Sequence, residues 1–400
     1  MGFSEVIGQA EVKNRLTNLV KNNQLGHALL LLGKEGSGAL PLAIAFSQYL
    51  VCDRVNGKPS ASPSLFGEPD PVGSLEPFRV DACGACPSCR KAIELAHPDI
   101  YYSYPVIPKK PGDKPISTDY IKEWRQFVQQ QPYGNVFDWL QFIEAENKQG
   151  NITAQECSEI IHKLYLKSFE SRYKILLMWM PEYLGNEGNK LLKLIEEPPE
   201  DTLFLLVAEN ESQILPTILS RTQRISVPAL DNRDIERALQ EHTQLPADQA
   251  KQAAAISEGN YREALQVLRH TEESWEELLR DWLNAILKTG PAAQVKWIEE
   301  MAKLGRERQK QFLRYFNHLL EQAIRSACMA PGTLLIPDNE KDFVLRLNRI
   351  ADLSQQQAMV EELDQAAYFI ERNANAKILF HALTIKLYHI IANRTKAMVT

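Results

Sequence analysis

The sequence has no run near the ~20 consecutive apolar residues of a membrane-spanning helix, which excludes a helical integral membrane protein. Its opening residues, MGFSEVIGQ, lack the basic and apolar segments of a secretory signal, so the expected compartment is the cytoplasm. An excess of positive charge is missing too. With 45 Lys and Arg against 51 Asp and Glu, the formal net charge is −6; no bulk polycation coats nucleic acid, and any such contact must be local. Cysteine is scarce, at 6 in 400 residues, and in this compartment reads as thiols or metal ligands rather than disulfides. No internal repeat is visible. The length suffices for two or three domains with cores of their own.

What is present is organised around residues 29–43, LLLLGKEGSGALPLA, an apolar strand running through a glycine-spaced loop into a helix. In a phosphate loop of the form G-x-x-x-x-G-K-[ST], glycines let backbone N–H groups wrap the phosphates. The lysine then reaches the β- and γ-phosphates and the hydroxyl holds magnesium. Gly33 and Gly38 keep that spacing, with Gly36 between them, but Ala39 and Leu40 stand where the lysine and hydroxyl belong. Lys34 sits at the strand end of the loop, away from that point. On this stretch alone three readings stay open: a tight loop without nucleotide, weak nucleotide binding, and coincidence.

Cys83, Cys86 and Cys89 follow a C-x2-C-x2-C spacing, and Cys52 lies at the far end of a linker rich in Pro, Gly and Ser at about 53–80. Four thiolates satisfy tetrahedral zinc, and a site with all four positions filled by protein is structural rather than catalytic. A redox C-x-x-C pair is the alternative, which the third cysteine disfavours. Cys157, on the apolar face of a helix, and the isolated Cys328 both read as core residues.

Trp124, Phe127, Tyr133, Phe137, Trp139 and Phe142 cluster within residues 103–150. Base stacking is one reading. Without interleaved basic residues, packing onto the domain is the better one.

Thr153 and Glu156 form a T-x-x-E capping box ahead of a helix. Residues 174–180, KILLMWM, and 202–208, TLFLLVA, are continuous apolar strands of the kind buried on both faces in a parallel sheet. Where a nucleotide hydrolase ends such a strand in an aspartate for magnesium, this chain has Trp179 and Met180, and Glu182 beyond them reads as a surface acid. Strands alternate with helices as far as Pro228, and only helical patterns follow, broken at Gly259 and at Gly290-Pro291. The last carries a Leu379, Leu383, Leu387 stripe with Asn373 or Asn375 to cap it. A parallel α/β sheet followed by helical domains is therefore expected.

Several segments together resemble the bacterial clamp-loader family of AAA+ proteins: FSEVIGQ, HALLLLGKEGSG, the CGACPSC module with Cys52, HPD at His97 to Asp99, KLLKLIEEPPEDTLFLLVAE, LPTILSRTQRISVP, GNYREAL and ERNANAKILFHALTIKL. The likeness omits the linker and the insertion at about 103–150. It implies an AAA+ type α/β domain over residues 1–228, holding a degenerate phosphate loop and a zinc module at about 52–98, then a small helical lid domain at 229–272 and an all-helical collar at 273–400.

Because the loop lysine and the strand acids are gone, the likeness is to the family's stator-like, non-hydrolysing member. The alternative is an ATP-hydrolysing motor of gamma/tau type, against which Ala39, Leu40, Trp179 and Met180 speak. The family pattern places Ser220-Arg221 at a subunit edge, with Arg221 as an arginine finger reaching a neighbour's ATP; Thr222 replaces the usual cysteine after the pair. Arg262 matches the second sensor arginine, and with an empty loop it would serve packing or an ion pair instead. Glu209 and Asn210 fall near the first sensor position. Implied cofactors are a single structural zinc held by Cys52, Cys83, Cys86 and Cys89, with ATP not hydrolysed in cis. Implied partners are gamma/tau-like and delta-like subunits in a hetero-oligomer, the sliding clamp indirectly, and primer-template DNA within the assembly, with no membrane.

Overall fold

The computed structural model describes residues 1–57, 81–110, 112–145, 148–243, 246–269, 275–328, 338–371 and 374–393. The expected linker beyond residue 57, residues 329–337 and Asn373 lie outside the described residues. The chain divides into two compact units, Met1–Leu268 and Arg269–Thr400.

In the first unit α1 (Ala10–Lys21) precedes β1 (Ala28–Gly33), the loop and α2 (Ala39–Val51). A short α3 (Pro87–Ile93) leads to β2 (Ile100–Ser103), and α4 (Ile121–Gln130), α5 (Val136–Phe142) and α6 (Ala154–Tyr165) lead to β3 (Lys174–Trp179). Then come α7 (Leu192–Glu196), β4 (Thr202–Ala208), α8 (Pro216–Leu219) and β5 (Gln223–Val227), followed by α9 (Asn232–Thr243), α10 (Ala247–Ile256) and α11 (Tyr261–Arg269). The five strands form one sheet in the order β2-β3-β4-β1-β5. Every pairing is parallel.

Alternation along each strand sends successive side chains to opposite faces. Leu29, Leu31, Leu177, Trp179, Leu205 and Val207 enter a core with residues of α2, α4 and α5, while Leu30, Leu176, Met178, Phe204 and Leu206 enter another with residues of α6, α7 and α8. Both faces are covered, which is why these strands carry no polar stripe. The insertion is part of the first core. Trp124, Phe127 and Trp139 are fully buried, and Tyr104 stacks on Trp124 with ring centroids 4.1 Å apart. The aromatics therefore pack, as the lack of interleaved basic residues implied.

Two local expectations change. Thr153 Oγ1 accepts from Glu156 N at 3.1 Å, but the Glu156 carboxylate accepts from Ser117 N at 2.8 Å, so it supports the insertion rather than closing the capping box. Glu182 is not a surface acid: its Oε1 accepts from Glu209 N at 2.7 Å and Asn210 N at 2.9 Å, joining the ends of β3 and β4, and burial raises its pKa. Glu182→Ala should lower unfolding stability by about 1 kcal/mol, since it removes the acceptor of the half-buried Glu209 N–H while the exposed Asn210 N–H can turn to water; urea titration of the two proteins checks this.

In the second unit, α12 (Trp275–Asn284), α13 (Pro291–Lys303), α14 (Arg306–Cys328), α15 (Asp338–Ile350), α16 (Leu353–Glu371) and α17 (Ala376–Asn393) share one core. Trp282 and Trp297 stack at 4.6 Å, and the Trp282 indole N–H donates to Thr384 Oγ1 at 3.0 Å, so both rings bury their apolar bodies with the polar edge satisfied. Leu383 and Leu387 are buried with Leu379 against the same core, and Asn375 Oδ1 accepts from Ile378 N at 3.3 Å at the helix start. Cys328 corrects the sequence reading. It is exposed at the last turn of α14, off the helix's buried face.

Candidate nucleotide loop and metal centre

The glycine loop joins the C-terminal end of β1, flanked by β4 and β5, to the start of α2, the place where open α/β sheets bind ligands. Gly36 and Gly38 have φ of +70° and +88°, a left-handed geometry that side-chain-bearing residues rarely adopt. A β-carbon on Gly33 would lie 2.5 Å from Ser37 Oγ and 2.9 Å from Val227 Cβ. The turn keeps glycines at its two left-handed positions, while Ala39 and Leu40 are buried at the first positions of α2 and Lys34 is exposed. Trp179, which ends β3, packs its ring 5.2 Å from that of Trp124. The carboxylate nearest that strand end, Glu182, is held by Glu209 N and Asn210 N.

Sequence reading missed what surrounds the loop. Gln9 Nε2 donates to Ser37 O at 2.9 Å and to Pro228 O at 2.7 Å, tying the first helix to the loop and to the end of β5. Arg262 pairs with Glu35 and with Asp138 of α5. The only sequence signal was local: Asn135 and Asp138 share an N-x-x-D pattern in which each side chain accepts from the other's backbone N–H, marking the start of α5.

Arg221 lies elsewhere. It follows α8 and precedes β5, whose Gln223 is in register with Leu29 and Val227 with Gly33. The loop begins at the opposite end of these parallel strands, so four residues of rise put it about 13 Å beyond Gln223, and farther from Arg221. The guanidinium donates to Thr217 O at 2.9 Å and Ser220 Oγ at 3.3 Å and pairs with Glu196 at 3.2 Å. Ser220 is exposed beside it, its Oγ donating to Thr217 O at 3.1 Å.

The sulfurs of Cys52, Cys83, Cys86 and Cys89 all lie within 4.8 Å of one another. Cys52 and Cys89 are fully buried, and backbone N–H groups point at three of the sulfurs: Cys83 N to Cys52, Cys86 N to Cys83 and Cys89 N to Cys86, at 3.3–3.4 Å. Tetrahedral Zn–S bonds of about 2.3 Å require S–S separations near 3.8 Å, and Cys83 and Cys89 are 3.8 Å apart. The donor set therefore fits a divalent metal of soft-thiolate preference, zinc included. The hydrogen bond from Cys89 pulls the Cys52 thiol down to about 5, while burial pushes Cys86 up to about 11. Cys89 is raised as well, chiefly by its hydrogen bond to Cys52. Asp81, just before the cluster, accepts from Phe3 N and Ser4 N, anchoring the module to the N-terminus.

The HPD segment is structural. Buried Asp99 accepts from Phe169, Glu170 and Ser171 N at 2.5–2.9 Å, fixing the turn into β3. His97, whose pKa burial lowers, lies 3.2 Å from Glu170, which also pairs with Lys91 of α3.

Residues 136–231 match the family model described as DNA polymerase III, delta subunit. A delta′ subunit of DNA polymerase III from Bacillus subtilis is 25% identical over 264 residues, 66% of this chain and 60% of that one. One from Pseudomonas aeruginosa is 27% identical over 242 residues, 59% and 54% of the two chains. A tau/gamma subunit from Haemophilus influenzae is 26% identical over 269 residues, 66% of this chain and 30% of that one. Each match thus spans less than two thirds of the relative's length.

Over these segments the chain is similar to bacterial clamp-loader subunits of the AAA+ family. The match to the family model covers α5 through β5, the part that carries Trp179, Glu182, Glu196 and Arg221. The glycine loop and the four cysteines lie before it. Among the described residues no helix is long and apolar enough to cross a membrane.

Proposed function

We propose that this chain is a delta-prime-like, non-hydrolysing clamp-loader scaffold subunit in DNA replication, which helps load the sliding clamp onto primed DNA. It would stand beside a gamma/tau-like ATPase and a delta-like clamp opener in a cytoplasmic hetero-oligomer, and meet primer-template DNA only in the assembly. In this reading residues 1–228, 229–272 and 273–400 are the AAA+ domain, lid and collar.

The observation that carries it is the glycine loop: the turn persists while Ala39 and Leu40 fill, as buried apolar residues, the positions that would grip phosphate and magnesium. With Trp179 and Met180 at the end of β3, and Glu182 held by the backbone N–H groups of Glu209 and Asn210, the strand lacks the terminal aspartate that would hold magnesium. Gly33, Gly36 and Gly38 then form an empty phosphate loop. Arg221, at the far end of β5 from that loop, is suited to another molecule's nucleotide, with Ser220 beside it. The cysteine cluster we assign to a single structural zinc; all four positions are filled by protein, so the metal would fix the fold and leave no place for water.

The test is equilibrium binding of a fluorescent ATP analogue to the purified chain with magnesium, beside a hydrolysis assay. Neither binding nor turnover is expected. Magnesium-dependent turnover by the chain itself would transfer it to the gamma/tau motor class.

A further inference from the structure

Around the glycine loop, polar groups from three distant segments close on one another. Arg262, in the first turn of α11, is 4% exposed. Its Nη1 donates to Glu35 Oε1 at 2.8 Å, its Nη2 to Asp138 Oδ1 at 2.7 Å and its Nε to Asp138 Oδ2. One guanidinium thus joins the loop, the helical segment after β5 and the α4–α5 insertion, across 227 and 124 residues of sequence. The backbone is engaged as well. Gly36 O accepts from Tyr261 N at 3.2 Å, and a β-carbon on Gly36 would fall 1.8 Å from Asn260 Oδ1. At Gly38 a β-carbon would meet the Tyr133 ring at 3.0 Å, while the Tyr133 hydroxyl accepts from Ile7 N at 2.9 Å. The pocket beside the loop is small and partly open, lined by Lys34, Tyr133, Trp179, Met180 and Glu209.

A buried arginine must be paired, and its planar fork is best met by a bidentate carboxylate. Here Asp138 supplies that fork and Glu35 a second anion, so the guanidinium has no charge left to offer a phosphate. We propose that Glu35 and Asp138 serve Arg262 as a built-in anion, latching α11 onto the glycine loop through the insertion whether or not nucleotide is present. The insertion thereby acquires a role: α5 carries the carboxylate that closes the latch, and Tyr133 the ring that covers Gly38. The inference deepens the scaffold reading at the same loop. Its consequence is conformational, a lid that does not respond to ATP.

Amide hydrogen exchange of the full chain, read by mass spectrometry, tests the latch. In the wild type, magnesium-ATP should leave exchange in residues 259–269 unchanged. In the Glu35→Gln/Asp138→Asn variant, exchange should rise at least about tenfold both there and in residues 133–142, while β1, β3 and β4 keep their protection. Should that variant fail to fold, Arg262→Met, which keeps the stem and removes the charge, should loosen the same two segments together. Protection of 259–269 by ATP in the wild type would overturn the latch. So would wild-type exchange in a folded variant, or loosening of α11 with α5 unmoved. ATP protection without hydrolysis would reject the latch alone, whereas hydrolysis by the isolated chain would reject the scaffold reading.

Discussion

Arg221→Ala, assembled with the motor subunits, is expected to slow ATP hydrolysis at the adjoining site by about 10³-fold or more, the scale of an arginine finger supplied in trans. The guanidinium would neutralise charge developing on the γ-phosphate, where water is excluded and each interaction counts for more than at an open surface. In the isolated chain that charge is only parked. Its partner Glu196 is more than half exposed, and a surface pair of this kind contributes about 0–1 kcal/mol, so docking can exchange it for phosphate at little cost. Arg221→Ala should therefore leave the stability of the chain nearly unchanged. Arg221→Lys keeps the charge but loses the planar fork and should recover only part of the rate. Single-turnover hydrolysis in the reconstituted loader, with assembly followed by gel filtration, separates the cases. An intact assembly with an unchanged rate rejects the finger, and a rate that falls only because the complex comes apart makes Arg221 an interface residue.

What was legible in the sequence and what was not divides along contact range. The strands around Leu30, Leu177 and Leu205 were readable because a sheet covered on both faces leaves unbroken apolar runs, and the glycine spacing marked the loop because only glycine tolerates φ near +70° and +88° there. The cysteine cluster was readable from local spacing, with Cys52 brought in at the end of α2. The Arg262 contacts were not. Nothing in a linear pattern says that Glu35, Asp138 and Arg262 meet, because their neighbourhood is made by tertiary packing. Glu182 and Glu156 failed for the same reason: each looks like an ordinary helix-end acid until the fold brings the backbone donors of Glu209 or Ser117 against it. Cys328 failed in the opposite direction. It was read as core only because it stands alone, whereas at about 100° per residue it falls off the face that carries Phe316, Leu320 and Ala323.

Metal analysis of the purified chain should find a single zinc ion, and Cys86→Ser should lose it together with the fold of the module. The size of the effect follows from how little else holds that region. The cluster itself buries only Cys52, Cys86 and Cys89, with Val55, Ala82 and Cys83 packed partly against them, and the segment's other apolar ties are Ala92 and Leu95 in the first core. A structural zinc contributes an apparent binding free energy of about 10–16 kcal/mol, which exceeds what so small a cluster gains by burial. Chelation should accordingly melt α3 and free the Asp81 tie to Phe3 and Ser4, while the sheet keeps its own cores, giving an unfolding step that returns with added zinc. Acid should act as a chelator does, because Cys86 and Cys89 have raised pKa values without the metal and must both lose protons to bind it. Two results oppose the assignment. Stoichiometric zinc in Cys86→Ser would mean that the ligands are others, and a metal-free wild type with a reversible two-electron couple would restore the redox reading of the C-x-x-C pairs.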